Sequence, residues 1–415
     1  MIPVKNIIEV AHRLKRHVRE TPLQYSETLS AVYDADIYLK REDLQLGRSY
    51  KIRGGFNKMS SLTEGERSKG VVCASAGNHA QAVAISCARL EIHGTIFMPK
   101  TTPGQKIKKV KAFGKEFVKV KLFGDTFDDA YGQAKAYRDE HDVTFIHPFD
   151  DERVIEGQGT VGKEIYEQFE GEPDYIFGPI GGGGLLSGVG SYFSQVSPDT
   201  KIIGAEPAGA ASMKLAFEHN EIQTFPDMDR FVDGAAVARV GKLNFAICKQ
   251  VLQDILVVPE GRVCTAILDM YNEDAIVVEP SGALSIAALD QYRDEIKGKQ
   301  VVCIVSGGNN DITRMEEIKE RSLLFEGLKQ YFIINFPRRV GSFKHFVTEV
   351  LGPKDSITLM QYDSQKSSGE SCPALIGIVV KEADAQREFL ERLEETGWTY
   401  ESVNDSPLLY NYLAK

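Results

Sequence analysis

Between residues 36 and 305 short apolar runs alternate with longer amphipathic stretches, and this rhythm restricts the possible folds more than any other feature of the chain. Residues 36–40, 71–74, 95–98, 116–120, 144–147, 175–177, 201–205 and 301–305 read as strands. Residues 78–90, 103–113, 126–141, 152–169, 185–195 and 282–292 carry helical spacing. Strand, helix, strand at this interval predicts an α/β fold with mainly parallel sheet, because parallel neighbours need a crossover long enough to hold a helix. The loops after the carboxyl ends of the strands are then the expected ligand positions.

Past Arg321 the pattern changes. Residues 329–336 read as a strand, 337–341 as a turn and 342–351 as a helix with Ser342 as its N-cap. Strands follow at 356–362 and 374–380, then a helix at 384–396 and a last strand at 398–403, with 364–371 as an exposed hairpin loop. The order βαββαβ in roughly ninety residues suits an α+β, ferredoxin-like unit. A chain of 415 residues is long for one core, and a separate C-terminal domain accounts for part of that length.

Composition narrows the partners. Asp and Glu (59) outnumber Lys and Arg (49), for a formal charge of -10 without a basic cluster, which disfavours nucleic acid and anionic membranes and favours a small polar substrate. The first residues run directly into an amphipathic segment, and no run approaches the roughly 18 apolar residues of a membrane span, so a cytoplasmic location is expected. Six cysteines are scattered with no C-x-x-C pair and read as reduced core residues.

Four loops carry chemistry. Gly181, Gly182, Gly183 and Gly184 lie between a strand and a helix start, where bare backbone and converging N–H groups make a phosphate cradle. Lys51, in Ser49-Tyr50-Lys51-Ile52-Arg53-Gly54, is either a Schiff-base lysine or a solvated charge. Ser75-Ala76-Gly77-Asn78-His79 follows the strand at 71–74 and exposes N–H donors to a carboxylate, or simply caps a helix. Ser306 ends the strand at 301–305, where its hydroxyl meets a ring nitrogen or belongs to a plain turn. A competing reading takes Gly182-x-Gly184-x-x-Ser187 with Glu206 as a loose dinucleotide fingerprint, but leaves Lys51 and the Asn78 loop unexplained.

Taken in order, these loops resemble the fold-type II (tryptophan synthase β-like) pyridoxal-phosphate enzymes, and most closely the short biosynthetic threonine dehydratases. The resemblance also covers Leu39-Lys40-Arg41-Glu42-Asp43 and Glu279-Pro280-Ser281-Gly282-Ala283, and Phe336-Pro337-Arg338-Arg339-Val340-Gly341 resembles their ACT-like regulatory domain. It implies a catalytic domain over 1–322, with a smaller mobile lobe at about 47–150, and a regulatory domain over 326–415. Lys51 would bind pyridoxal 5'-phosphate covalently and act as the base. Gly181, Gly182, Gly183, Gly184 and Leu185 would hold its phosphate, Asn78 its 3-oxygen and Ser306 its ring nitrogen. Ser75, Ala76, Gly77, Asn78 and His79 would take the substrate carboxylate, and the cofactor phosphate would assist departure of the hydroxyl.

The implied reaction converts L-threonine to 2-oxobutanoate and ammonia, with L-serine as a second substrate, isoleucine and valine as effectors, and a homodimer or homotetramer as the assembly. Ala76 stands where related serine racemases carry a second serine, which implies poor racemisation. Glu206 and the Ala210 carbonyl resemble part of a racemase metal site, but Ser212 replaces the expected aspartate, so no metal is expected and Glu206 is otherwise a solvated or ion-paired strand end.

Overall fold

The computed structural model describes residues 1–362 and 370–404, and the chain divides into two compact units, Met1–Asn310 and Asp311–Lys415. In the first, a six-stranded sheet has the order Leu23–Tyr25, Asp36–Arg41, Gln300–Val305, Tyr175–Pro179, Lys201–Pro207, Leu252–Val258. The first pair is antiparallel and all others are parallel. Gln300–Val305 thus enters between strands far away in sequence, and the pairing Cys303↔Phe177 brings the loop after Val305 beside the glycines that follow Pro179.

A second, four-stranded parallel sheet has the order Val118–Leu122, Gly94–Met98, Val71–Ala74, Thr144–Phe145 and falls within residues 47–150. Val71–Ala74 and Gly94–Met98 are buried at every position, as strands covered by helices on both faces must be.

Several boundaries differ from the sequence expectation. The strand expected at 116–120 starts at Val118, because 115–117 form a 3₁₀ turn entered through Lys115 at φ 49°. The helix expected at 282–292 starts at Pro280, whose missing N–H costs nothing in a first turn, and tightens to 3₁₀ after Ala287. The strand Leu252–Val258 has no counterpart among the expected elements, because the helix Lys242–Val251 passes into it with neither glycine nor proline between them. All six cysteines are buried, and none is in a disulfide. Among the described residues no helix is long and apolar enough to cross a membrane.

The second unit is an antiparallel sheet of order Ser356–Tyr362, Ser371–Val379, Lys329–Pro337, Tyr400–Ser402. The helical segments 342–350 and Ala383–Glu395 complete the βαββαβ order, and Phe332, Phe336, Phe346, Phe389 and Trp398 pack in its core. The chain divides earlier than the expected 322/326 boundary. Within the helix Met315–Phe325, Glu320 accepts from Lys329 Nζ at 2.5 Å and from Tyr331 OH at 2.6 Å, which ties that helix to the C-terminal sheet.

Ser342 is not the N-cap. That position belongs to Gly341 at φ 92°, while Ser342 Oγ donates to the Pro337 and Arg339 carbonyls and closes the turn. The expected hairpin loop at 364–371 lies outside the described residues as far as 369, and Ser371 already belongs to a strand.

Candidate active site

Each predicted loop sits at a strand end or a helix start. Lys51 opens the helix Lys51–Ser60. The turn before it is stitched to the loop after Gln300–Val305 by Tyr50 N–H donating to the Ser306 carbonyl (3.2 Å) and by a bridge between Ser49 and Gly307. Lys51 Nζ donates to the Pro148 carbonyl at 3.1 Å. Asn78 opens the helix Asn78–Leu90, one turn past the end of Val71–Ala74.

The glycine run leads from Pro179 into the helix Gly184–Val196. Gly183 caps that helix at φ 93°, a conformation that costs other residues about 1–2 kcal/mol. The first helical bond is Ser187 N–H to the Gly183 carbonyl, which leaves the preceding N–H groups outside the helical ladder, at the positive end of its dipole. Packing crowds these positions as well. A Cβ on Gly182 would lie 2.3 Å from the Phe149 ring, and one on Gly181 would lie 3.1 Å from the Ala235 backbone.

Lys51, Asn78, Gly181 and Ser306 line one pocket together with Tyr50, Pro179, Gly234, Ala235, Glu279 and Ser281. Gly182, Gly183, Gly184 and Leu185 continue from its wall into the helix, and Ser75, Ala76 and Gly77 lead into Asn78. The His79 side chain turns away from the Ser75 loop. Its Nε2 meets the Ile146 carbonyl at 2.9 Å and burial pushes its pKa down to about 3, so only its backbone is available to a ligand there. Within the same loop Gly77 N–H donates to Ser75 Oγ at 3.2 Å.

Glu279 organises the pocket, a role its sequence position did not disclose. Its Oε1 accepts from Asn78 Nδ2 (2.6 Å) and Ser281 Oγ (2.9 Å), and its Oε2 from Asn309 N–H (3.2 Å). Asn309 Nδ2 in turn donates to Asn78 Oδ1 at 2.7 Å, so the Asn78 amide is held from both ends. The signal available was an acidic residue just before Pro280 at the head of an apolar helix. Burial, helped by the Asp233 charge, pushes the Glu279 carboxyl up to about 7, against the hydrogen bonds from Ser281, Asn78 and Asn309.

An unfolded glutamate ionises near 4.5, so this group's contribution to stability is fully present below 4.5 and is lost as the pH rises through 7. Glu279→Gln should flatten that slope in denaturation midpoints of cofactor-free protein at about pH 5 and about pH 8. An unchanged slope would mean that Glu279 is ionised throughout.

Glu206 corrects an expectation. It is neither solvated nor ion-paired but fully buried, its two oxygens accepting from the N–H groups of Met213 and Lys214 at 2.8 Å each, which caps the helix Ser212–His219. Burial pushes its carboxyl up to about 8. Ser212 Oγ donates to the Val237 and Ala210 carbonyls, and among the described residues no cluster of three metal-ligating side chains occurs.

Comparison with known proteins agrees with this geometry. Residues 14–307 match the family described as pyridoxal-phosphate dependent enzyme, and residues 320–413 match the C-terminal regulatory domain of threonine dehydratase. The biosynthetic L-threonine dehydratase of Halalkalibacterium halodurans is 53% identical over 412 residues, covering 99% of each chain. That of Bacillus subtilis is 52% identical, covering 100% of this chain and 98% of its own. Among solved structures, the processed threonine deaminase isoform 2 of Solanum lycopersicum superposes with a TM-score of 0.73 at 40% identity, over 77% of this chain and 92% of that one. Maize serine racemase superposes with a TM-score of 0.72 at 30% identity, over 78% and 98%. With the lysine, the asparagine, the glycine loop and the serine gathered at one pocket, the chain belongs to the pyridoxal-phosphate-dependent enzymes and, among them, to the biosynthetic threonine dehydratases.

Proposed function

We propose that this protein converts L-threonine to 2-oxobutanoate and ammonia, as the first step of isoleucine synthesis. Threonine loses water across Cα–Cβ, and the unsaturated amine takes water back as it releases ammonia. The observation that carries the reading is that Lys51, Asn78, Gly181 and Ser306, which are distant in sequence, line one pocket. The donor set fits pyridoxal phosphate, with an amine, an anchored amide, an anion-binding helix start and a hydroxyl around one cavity. Bound there, the cofactor supplies an electron sink for the charge that develops at the substrate Cα.

Lys51 Nζ is the point of covalent attachment and, once released, the base that takes the Cα proton. The N–H groups of Gly181, Gly182, Gly183, Gly184 and Leu185 bind the phosphate. One N–H of Asn78 Nδ2 is engaged by Glu279, which leaves the other for the ring oxygen. Ser306 Oγ lies 3.2 Å from the Ser281 carbonyl, and its hydroxyl can turn from that carbonyl to donate to the ring nitrogen. The backbone of Ser75, Ala76, Gly77, Asn78 and His79 receives the substrate carboxylate. Ala76 carries no acid for the opposite face of the substrate, which makes racemisation slow.

The unit Met1–Asn310 is the catalytic domain, with the lobe at about 47–150 closing on the substrate, and the unit that begins at Asp311 is the regulatory domain, which senses isoleucine and valine. The assembly is a homodimer or homotetramer in the cytoplasm, and L-serine is a second substrate. Steady-state rates on L-threonine and L-serine, with and without isoleucine and valine, test the reading. Cofactor-dependent release of 2-oxobutanoate from threonine is expected. Isoleucine binding with no ketoacid from threonine would instead make the chain an amino-acid sensor.

A further inference from the structure

The four-residue turn His147-Pro148-Phe149-Asp150 follows the strand Thr144–Phe145 and reaches Lys51, the glycine loop and the helix Lys242–Val251. The Pro148 carbonyl holds Lys51 Nζ. The Phe149 ring lies where a Cβ on Gly182 would be, and the Phe149 carbonyl accepts from Asn244 Nδ2 at 3.0 Å. The Asp150 carboxylate accepts from the N–H groups of Lys242 and Leu243, at 3.0 Å each, and so caps the helix Lys242–Val251. What shapes the turn is His147, whose Nδ1 accepts from Phe149 N–H (3.2 Å) and Asp150 N–H (2.8 Å). That double acceptance needs a neutral ring with its proton on Nε2. Burial pushes the His147 pKa down to about 4, against the nearby carboxylates of Asp150 and Asp151 and with the help of the Lys51 and Lys135 charges.

We propose that His147 is a positioning residue for the lysine, its Nδ1 folding the turn that presents the Pro148 carbonyl to Lys51 Nζ and seats Phe149 against the glycine loop. The carbonyl engages one N–H of the free amine and fixes its place both when it attacks the cofactor aldehyde and when it takes up the substrate proton. His147 acts through this turn and touches no reacting atom. The inference rests on the assignment of Lys51 as the cofactor lysine.

The side chain of asparagine carries an acceptor the same number of bonds from Cα as Nδ1. Leucine keeps the branching without an acceptor, and glutamine places its acceptor one bond further out. Cofactor-free protein is mixed with pyridoxal phosphate, and the rate at which visible absorbance grows reports attachment at the lysine. His147→Asn should react within about threefold of the wild-type rate, and His147→Leu about tenfold more slowly, the worth of one to two lost hydrogen bonds. In turnover, His147→Leu should lower kcat by a similar factor with little change in the KM for threonine.

If His147→Leu is not recovered folded, His147→Gln takes its place, with the same expected slowing. Equal rates for the asparagine variant and the leucine variant, or the glutamine variant in its place, would overturn the proposal. Lys51→Ala in the same experiment separates the two claims. If that variant still gains the absorbance, the lysine assignment fails. If it does not, and the His147 variants are alike, only the positioning role fails.

Discussion

Replacing Lys51 with alanine is expected to abolish the visible absorbance of the bound cofactor and to lower threonine turnover by at least about 10³-fold, because one side chain supplies both the covalent attachment and the base. Its surroundings make the role hard to transfer. Lys109, on the helix Gly104–Gly114, is engaged by Asn309 Oδ1 at 2.5 Å, and Lys106 on the same helix pairs with Asp233 at 2.9 Å. Both amines are thus engaged by other side chains, and neither lines the pocket. Added alkylamine should restore part of the rate if the loss is that of a base. A Lys51→Ala protein that keeps more than about a tenth of wild-type turnover would contradict the assignment.

Arg53→Met is expected to produce the largest loss of stability. The guanidinium of Arg53 is fully buried on the helix that begins with Lys51. It reaches Glu42 with Nε and Nη2 at 2.8 and 2.7 Å, and Glu164 with Nη1 and Nη2 at 2.5 and 2.8 Å. Lys40, also fully buried, donates to Glu164 at 2.7 Å, to the Thr21 carbonyl at 2.6 Å and to Gln168 at 3.0 Å. Two cations and two carboxylates therefore balance inside the protein. Methionine fills much of the space but leaves Glu42 without its cation and Glu164 with only Lys40.

Breaking a buried set of this kind from one side costs about 3–5 kcal/mol, because a desolvated charge remains. Arg53→Lys should recover only part of the loss, since an ammonium cannot serve both carboxylates with a planar fork. Urea midpoints of the cofactor-free proteins measure the difference. A change for Arg53→Met of less than about 1 kcal/mol would mean that the carboxylates take up protons or water at little cost.

The alternation of strands and helices was legible because most elements are bounded by glycine, proline or a capping side chain, and strands such as Val71–Ala74 and Gly94–Met98 carry no charge and are buried at every position. Asn78–Leu90 was expected to the residue, since a run of small residues precedes it and Glu91 ends it in the left-handed conformation at φ 55°. Leu252–Val258 was not legible, because nothing in the composition marks where a helix gives way to a strand.

The same limit applied to the site. Lys51, Asn78, the glycines and Ser306 announce themselves through local motifs, each tied to one loop. Glu279, Asn309 and His147 matter through contacts that only the fold creates. Glu279 meets Asn78 from the other sheet's side of the pocket, and His147 folds a turn whose carbonyl lies far in sequence from the lysine it holds. Nor could the sequence tell that Glu206 was buried, since an acidic residue at a strand end reads as solvated until both of its oxygens are found on the N–H groups of a helix start.

Borohydride reduction of the cofactor-bound protein, followed by mass mapping of its peptides, tests the central claim most directly. Reduction fixes the cofactor to whichever amine holds it, independently of turnover. The account predicts the added mass on Lys51 alone, and none on any peptide of the Lys51→Ala protein treated in parallel. Mass on Lys58, Lys106 or Lys109, or retained in Lys51→Ala, would contradict it.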